Sequence, residues 1–197
     1  MMNRKDITKR LSELLILDRF SGVGKYWAKE VTLDYGTSHP IRVDYMQYTP
    51  QGAVFASDIE NGYFTCYEIK SCKADVYSGN GLNFIAEKNY IVTTMDCYKE
   101  ILPDIQSGKL HDYIKTANGG SVYWDILIAI PEYEVADESC KSGFRHSRML
   151  DEFDEPTPLD TDCRWKLIAA NVGYIVNGHR NRSKVELLFC MLRSGRG

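Results

Sequence analysis

Tyr63-Phe64-Thr65-Cys66-Tyr67-Glu68-Ile69-Lys70 is the stretch of this chain that decides its fold. Aromatic and other strand-forming residues dominate the run, which predicts a β-strand. Successive side chains of a strand point to opposite faces of the sheet. Glu68 and Lys70 are therefore expected to share one face, while Ile69 points into the opposite layer. This places a carboxylate and an ammonium group beside the same small volume.

An earlier run, Ile41-Arg42-Val43-Asp44-Tyr45-Met46, also predicts a strand and carries an acid near its centre. If the two strands are neighbours, Asp44 and Glu68 bring two hard oxygen ligands next to Lys70. Such a set suits Mg²⁺ or Mn²⁺, a water molecule and a phosphodiester. It is typical of nucleases, although a surface salt bridge on a strand produces the same pattern.

Asp44 followed by Glu68-Ile69-Lys70 resembles the signature of the PD-(D/E)XK phosphodiesterase superfamily: an Asp, a variable gap, Glu or Asp, any residue and Lys. The stretches Glu68 to Gly79 and Asn83 to Val92 look like the MmcB-like and phage-borne branch of that superfamily. The resemblance covers roughly residues 26 to 95. It implies a restriction-endonuclease-like α/β (α+β) core, with a central mixed sheet flanked by helices in the order α-β-β-β-α-β.

The resemblance also implies an activity: metal-dependent hydrolysis of phosphodiester bonds in nucleic acid, with DNA the expected partner, in a phage, mobile-element or DNA-repair context. Asp44, Glu68 and the backbone carbonyl of Ile69 would hold Mg²⁺ or Mn²⁺. Lys70 would orient the attacking water and offset the charge that develops on phosphorus. The alternative is a non-cleaving nucleic-acid- or protein-binding module on the same fold, such as a phage factor that acts on host machinery.

Other polar residues are candidates for supporting roles. Ser71 and Asp75 follow the signature and would form an outer shell. Glu13 falls in an apolar sector of the helix predicted over Asp6 to Phe20, and Glu30 lies in the strand that follows. Either could be the accessory acid that superfamily members often carry on the first helix, although a helix-edge Glu that reaches water would show the same pattern as Glu13.

The first acid of the signature has an alternative position. The gap between Asp44 and Glu68 contains Asp58-Ile59-Glu60-Asn61-Gly62, a turn by composition. Asp44 is preferred because apolar neighbours place it in a strand. Asp58 and Glu60 are expected at a hairpin tip beside a strand candidate at residues 53–56.

Length and composition indicate a single domain. The chain has 197 residues, 44% hydrophobic and 26% charged, with a net charge of −3. No apolar stretch is long enough for a membrane helix and no signal-peptide core follows the start, so a cytoplasmic protein without membrane contact is expected. We expect a nuclease core over residues 1–131, an acidic loop or lid over 132–162, and a basic helical extension over 163–197 that packs on the core.

The charge distribution suggests a second place for nucleic acid. Residues 132–162 carry ten acidic and three basic side chains, whereas residues 163–197 carry seven basic and one acidic. Arg180, Arg182 and Lys184 crowd the start of a helix that a capping box predicts at Ser183. Amide groups at a helix N-terminus favour anions, so these three side chains are candidates for DNA-backbone contact. A packed helix with a solvated basic end is the other interpretation.

Several other classes of site are disfavoured. The six cysteines have no C-x-x-C spacing, which argues against a zinc ribbon or a disulfide framework and indicates reduced thiols. The four histidines show neither an H-E-x-x-H nor an H-N-H spacing, which disfavours a histidine-based metallonuclease. Neither a G-x-S-x-G elbow nor a P-loop is present, so serine-hydrolase and P-loop chemistry are not indicated.

Overall fold

Six strands form one mixed β-sheet that is flanked by helices. The computed structural model describes residues 2–22, 24–52, 55–134, 156–172 and 178–195. The strands are β1 Tyr26–Leu33, β2 Ile41–Thr49, β3 Tyr63–Ile69, β4 Lys88–Thr94, β5 Asp125–Pro131 and β6 Trp165–Ala169. They lie side by side in chain order.

The sheet combines antiparallel and parallel pairs. β1, β2 and β3 form an antiparallel meander, with Tyr45 of β2 opposite Tyr67 of β3. β3, β4 and β5 are parallel, and Ile69 lies opposite Val92 of β4. β6 returns antiparallel to β5. The central strands are buried on both faces, as expected where helices cover a parallel sheet.

Helices cover the two faces unequally. The helices are α1 Arg4–Leu15, α2 Ala56–Glu60, α3 Lys73–Val76, α4 Met95–Gln106, α5 Lys109–Ala117 and α6 Lys184–Ser194; a π-helical turn, Ile16–Phe20, extends α1 and a 3₁₀ turn, Glu132–Glu134, follows β5. α1 packs through Leu11 and Leu15 on the face that carries Tyr67 and Ile69. α4, α5 and α6 pack on the opposite face. No helix within the described ranges is both long and apolar enough to cross a bilayer.

The mixed sheet with flanking helices agrees with the expected architecture, but two predicted elements were wrong. A strand was predicted at residues 53–56, but the helix α2 begins at the last of these residues and continues to Glu60. Residues 53 and 54 lie outside the described residues. The segment 163–197 was predicted as helical, yet it contributes β6 to the sheet before α6. Of the predicted acidic loop, residues 135–155 lie outside the described residues.

Candidate active site

The site begins where β2 and β3 separate. Their pairing ends at Tyr45 and Tyr67, one residue before Asp44 would meet Glu68. The Asp44 carboxylate accepts a hydrogen bond of 2.9 Å from the backbone N–H of Ile69. A side chain thus takes the place of the missing backbone acceptor, which keeps the amide satisfied while the strands diverge. Asp44 is held at the mouth of the gap that this divergence opens.

Glu68 and Lys70 lie on the same face and are almost completely buried, with 1% and 4% of their surface exposed. The backbone at Lys70 is fixed to β4, because its N–H donates to Val92 over 2.9 Å and its carbonyl accepts from the Thr93 hydroxyl over 2.6 Å. The Lys70 ammonium donates to the carbonyl of Asn80 over 2.6 Å. Both charged groups are therefore positioned by the sheet and by one following loop.

The Glu68 carboxylate is only partly satisfied. Its Oε1 atom is buried without a hydrogen-bond partner among the described residues. Burial raises the pKa of Glu68 well above its usual value, and the nearby Asp44 carboxylate raises it further. The Lys70 ammonium and hydrogen bonds from the backbone N–H groups of Leu82 and Asp44 act in the opposite direction. A buried carboxyl oxygen without a partner is costly, so an ion that neutralised this group would be bound favourably.

The backbone of Gly81 lies close to the side-chain ends of Glu68 and Lys70. A Cβ atom at this position would lie 2.6 Å from Glu68 Oε2 and 2.9 Å from Lys70 Nζ. Gly81 also has a positive φ of 76°, a conformation that costs glycine little. Asn118 anchors the far end of the loop by donating to the carbonyl of Leu82 over 3.0 Å. The loop therefore forms a close-fitting wall that only glycine permits.

Asp75 links the end of β3 to the first helix. Its Oδ2 atom accepts hydrogen bonds from the backbone N–H and the hydroxyl of Ser71, at 3.1 and 3.2 Å. Its Oδ1 atom forms an ion pair with Arg4 of α1. Ser71 and Asp75 are both buried, whereas 62% of the Arg4 side chain is exposed. This arrangement holds the chain after Lys70 and presents an arginine to solvent.

These groups line an open cleft of about 870 Å³. The two acids and Lys70 lie within it, and Arg4, His39 and Arg42 are exposed around it. The cleft thus has two carboxyl groups and one ammonium group in its interior, and two arginines on its rim, of which Arg4 is paired with Asp75. A phosphodiester carries its own negative charge, so these arginines would favour its approach while the acids could face a cation.

The residues present fit one divalent cation. Asp44 and Glu68 supply hard oxygen atoms, and Glu68 has a free buried oxygen. In the part of the chain that the structure describes, no group of three or more His, Cys, Asp or Glu side chains is arranged to hold a metal. A cation here would need the predicted Ile69 carbonyl, water or substrate oxygens to complete its shell, as Mg²⁺ commonly does.

The structure does not place the candidate accessory acids in the cleft. Glu13 is exposed and pairs with Arg10 of its own helix over 3.6 Å, whereas the residues of α1 that line the cleft are Arg4 and Thr8. Glu30 is exposed on the edge strand β1 with a positive φ of 52°. Asp58, the alternative first acid, accepts from the Phe55 N–H over 2.9 Å and caps α2. Glu60 at the end of α2 does not line the cleft either.

The basic cluster before α6, predicted as a place for DNA-backbone contact, makes contacts within the protein. Arg180 pairs with Glu87, and Arg182 pairs with Asp34 over 2.6 Å and with a glutamate one helical turn away. Lys184 donates to a backbone carbonyl at the end of α2. The charge pattern was visible in the sequence, but the acids that neutralise it come from distant segments. The cluster does not line the cleft.

Sequence reasoning missed Arg4, Arg42 and Gly81. The contact of Gly81 with the acid and the lysine depends on the fold. Nothing local marks the two arginines as rim residues. Comparison of the chain with protein-family models, with curated proteins and with solved structures finds no match.

Proposed function

We propose that the protein is a divalent-metal-dependent nuclease, with a restriction-endonuclease-like core, that hydrolyses phosphodiester bonds of nucleic acid, with DNA as the expected substrate. The observation that carries the proposal is the convergence of Asp44, Glu68 and Lys70 in one cleft, with a buried Glu68 oxygen that lacks a partner. A structural salt bridge would leave no such oxygen unpaired.

A bound Mg²⁺ or Mn²⁺ would polarise the phosphoryl oxygen and lower the pKa of a water molecule. Asp44 and Glu68 would hold it, and Glu68 would give up its proton on binding because the charged form is then stabilised. Lys70, already buried and fixed through Asn80, offers a preorganised positive charge for the pentacovalent phosphorus. To reach the substrate, its ammonium must exchange the Asn80 carbonyl for a water or phosphate oxygen.

Outside the acids, the rim provides substrate positioning. Arg4 and Arg42 are exposed on the cleft and can contact phosphates on either side of the scissile bond. Asp75 orients Arg4 through their ion pair. The proposed grip on the nucleic acid is therefore at the cleft itself rather than at the basic cluster before α6.

The test is a digestion panel with Mg²⁺ or Mn²⁺ on labelled single-stranded, double-stranded and branched DNA and on RNA. Cleavage is expected in the parent protein and in Glu13→Gln, an acid outside the cleft. It is expected to be lost in Glu68→Gln and Lys70→Met, whose side chains keep nearly the same volume. Cleavage that survives both cleft variants would reject the proposal, as would the absence of cleavage of every substrate with either metal.

A non-cleaving nucleic-acid- or protein-binding module is the second candidate. The observation that favours it is that the Lys70 ammonium, the positive charge proposed to act on phosphorus, is already hydrogen-bonded to the Asn80 carbonyl. Metal-independent binding of nucleic acid, without cleavage of any substrate in the panel, would support this alternative.

A further inference from the structure

A second cavity, of about 500 Å³, lies on the face of the sheet opposite Glu68. It opens beside the π-helical turn at the end of α1, and the Arg19 guanidinium on that turn donates to the carbonyl of Leu167 over 2.9 Å. This bond joins the turn to β6 across the cavity. The cavity shares none of its lining residues with the candidate active site.

The floor of this cavity contains unused hydrogen-bond donors. Gln47, only 8% exposed, accepts a bond of 3.0 Å from the Tyr67 hydroxyl through its Oε1 atom. Its Nε2 group has no partner in the described ranges of the chain, and neither has the hydroxyl of the buried Thr65. The acceptor of Gln47 is therefore in use while its two donors are available. A ligand that met this floor would present acceptor atoms, as the carbonyl edge of a nucleobase does.

Tyrosine rings form one side of the same cavity. Tyr67 and Tyr90 are stacked, with their ring centroids 5.6 Å apart, and both line the cavity together with Tyr63. Tyr90 is only partly buried, so it is not sealed within the core. Neutral aromatic side chains of this kind favour a planar ring over a flexible aliphatic group.

The mouth carries an excess of positive charge. Asp18 and Arg19 are paired over 2.9 Å and offset each other. Lys25 and Lys88 are exposed and form no ion pair with any residue that the structure describes; Lys88 instead lies 4.3 Å above the Tyr63 ring. Two uncompensated ammonium groups beside a cavity favour an anionic ligand.

We propose that this cavity binds a nucleoside monophosphate unit, with its base against Tyr90 and the donors of Gln47 and Thr65, and its phosphate at Lys25 and Lys88. The cavity volume is in the range of small-ligand sites. The same chemistry could come from a free nucleotide or from the phosphorylated end of a strand. The site goes beyond the proposed nuclease activity, because it needs neither the cation nor Glu68.

The test uses calorimetric titration in EDTA, so that no divalent ion occupies the candidate active site. Thymidine monophosphate should bind saturably, and thymidine and inorganic phosphate should each bind more weakly than the nucleotide. Lys25→Ala and Lys88→Ala should each weaken binding by about tenfold, the effect of losing one charge-assisted contact. Thr65→Val, which keeps the branched shape of the side chain, should also weaken it.

Lys115→Ala, an exposed lysine on α5, is the matched control and should leave the affinity unchanged, as should Asp44→Asn in the active site. A short 5′-phosphorylated oligo(dT) distinguishes the sources: tighter binding than the mononucleotide identifies a strand end, and weaker binding identifies a free nucleotide. No saturable binding of either ligand would overturn the site. Binding that both lysine variants retain, or that inorganic phosphate matches, would overturn it equally.

Discussion

Glu68→Gln is expected to make the metal-free protein more stable at alkaline pH. Glu68 is 1% exposed and its Oε1 atom lacks a partner, so ionising it costs more in the folded protein than in the unfolded chain. A buried polar group without its bonds costs about 1–3 kcal/mol, and more when it is charged. Glutamine has nearly the same shape and cannot ionise. We therefore expect the free energy of unfolding to rise by about 1–3 kcal/mol at pH 8.

The raised pKa of Glu68 determines how the free energy of unfolding changes with pH. The folded pKa of Glu68 is raised, so the folded protein binds more protons than the unfolded chain above the usual value of 4.5. Stability must then fall as pH rises from that value, by at most about 1.4 kcal/mol per pH unit for one proton, and level off above the folded pKa. The difference between the two proteins should close near pH 4.5. Burial also raises the pKa of Asp125, to about 6, but this contribution is common to both proteins and cancels.

Urea unfolding in EDTA at several pH values, followed by the fluorescence of the buried Trp124, measures this difference. Glu13→Gln, a change on an exposed helix position, should lie within about 0.5 kcal/mol of the parent protein at every pH. At a hundredfold excess over Kd, Mn²⁺ should stabilise the parent protein by about 2.7 kcal/mol. It should leave the stability of Glu68→Gln unchanged. If Glu68→Gln is no more stable at pH 8, or if its advantage does not vary with pH, the view of Glu68 as a strained carboxylate that awaits a cation is wrong.

Three further outcomes are expected. Lys70→Met should slow cleavage by about 10² to 10³, or ~2–4 kcal/mol, and keep its affinity for Mn²⁺ in calorimetry; loss of metal binding would show that the lysine only shapes the site. Gly81→Ala should weaken Mn²⁺ binding, because the added Cβ would meet Glu68. Gly79→Ala, with a φ of 75° and no atom within 4 Å of the added Cβ, should lower stability through its positive φ but leave Mn²⁺ binding unchanged. Equal effects of the two variants on Mn²⁺ binding would show that contact with Glu68 does not matter. Arg182→Ala should lower the free energy of unfolding by about 1 kcal/mol, since its pairs are partly exposed, and leave the salt dependence of DNA binding unchanged; a flatter slope would restore its predicted role in phosphate contact.

Much of the sheet could be predicted because strands obey short-range rules. β2 contains the whole run from Ile41 to Met46 that predicted it, and β3 ends one residue before the predicting run does, at Ile69. β6 was missed because Trp165–Ala169 is short and its two buried residues, Leu167 and Ile168, are adjacent, so it has the pattern of neither an alternating strand nor a helix. α2 was missed because its start depends on Asp58 bonding back to the Phe55 N–H, a contact that composition also allows in a turn.

The candidate site also contains residues that the sequence could predict and residues that it could not. Side-chain alternation brought Glu68 and Lys70 to one face, and the adjacency of two strands brought Asp44 to them. The contact between Arg4 and Asp75 spans 71 residues, and no local pattern encodes it. Glu13 does not line the cleft, because a helical wheel defines which residues share a sector but not which of them lie beside the site.

The attachment of Lys70 to β4 has a consequence for the protein as it is being made. Its backbone is held by Val92 and Thr93, which a ribosome adds only after the acid, the lysine and the loop that touches them have all been synthesised. Parallel strands also pair late, because their partners must first be brought together across a connection. A half-finished chain thus contains every residue of the signature without the geometry that joins them. If the protein is a nuclease as proposed, it would have no activity during its own synthesis until β4 had paired with β3.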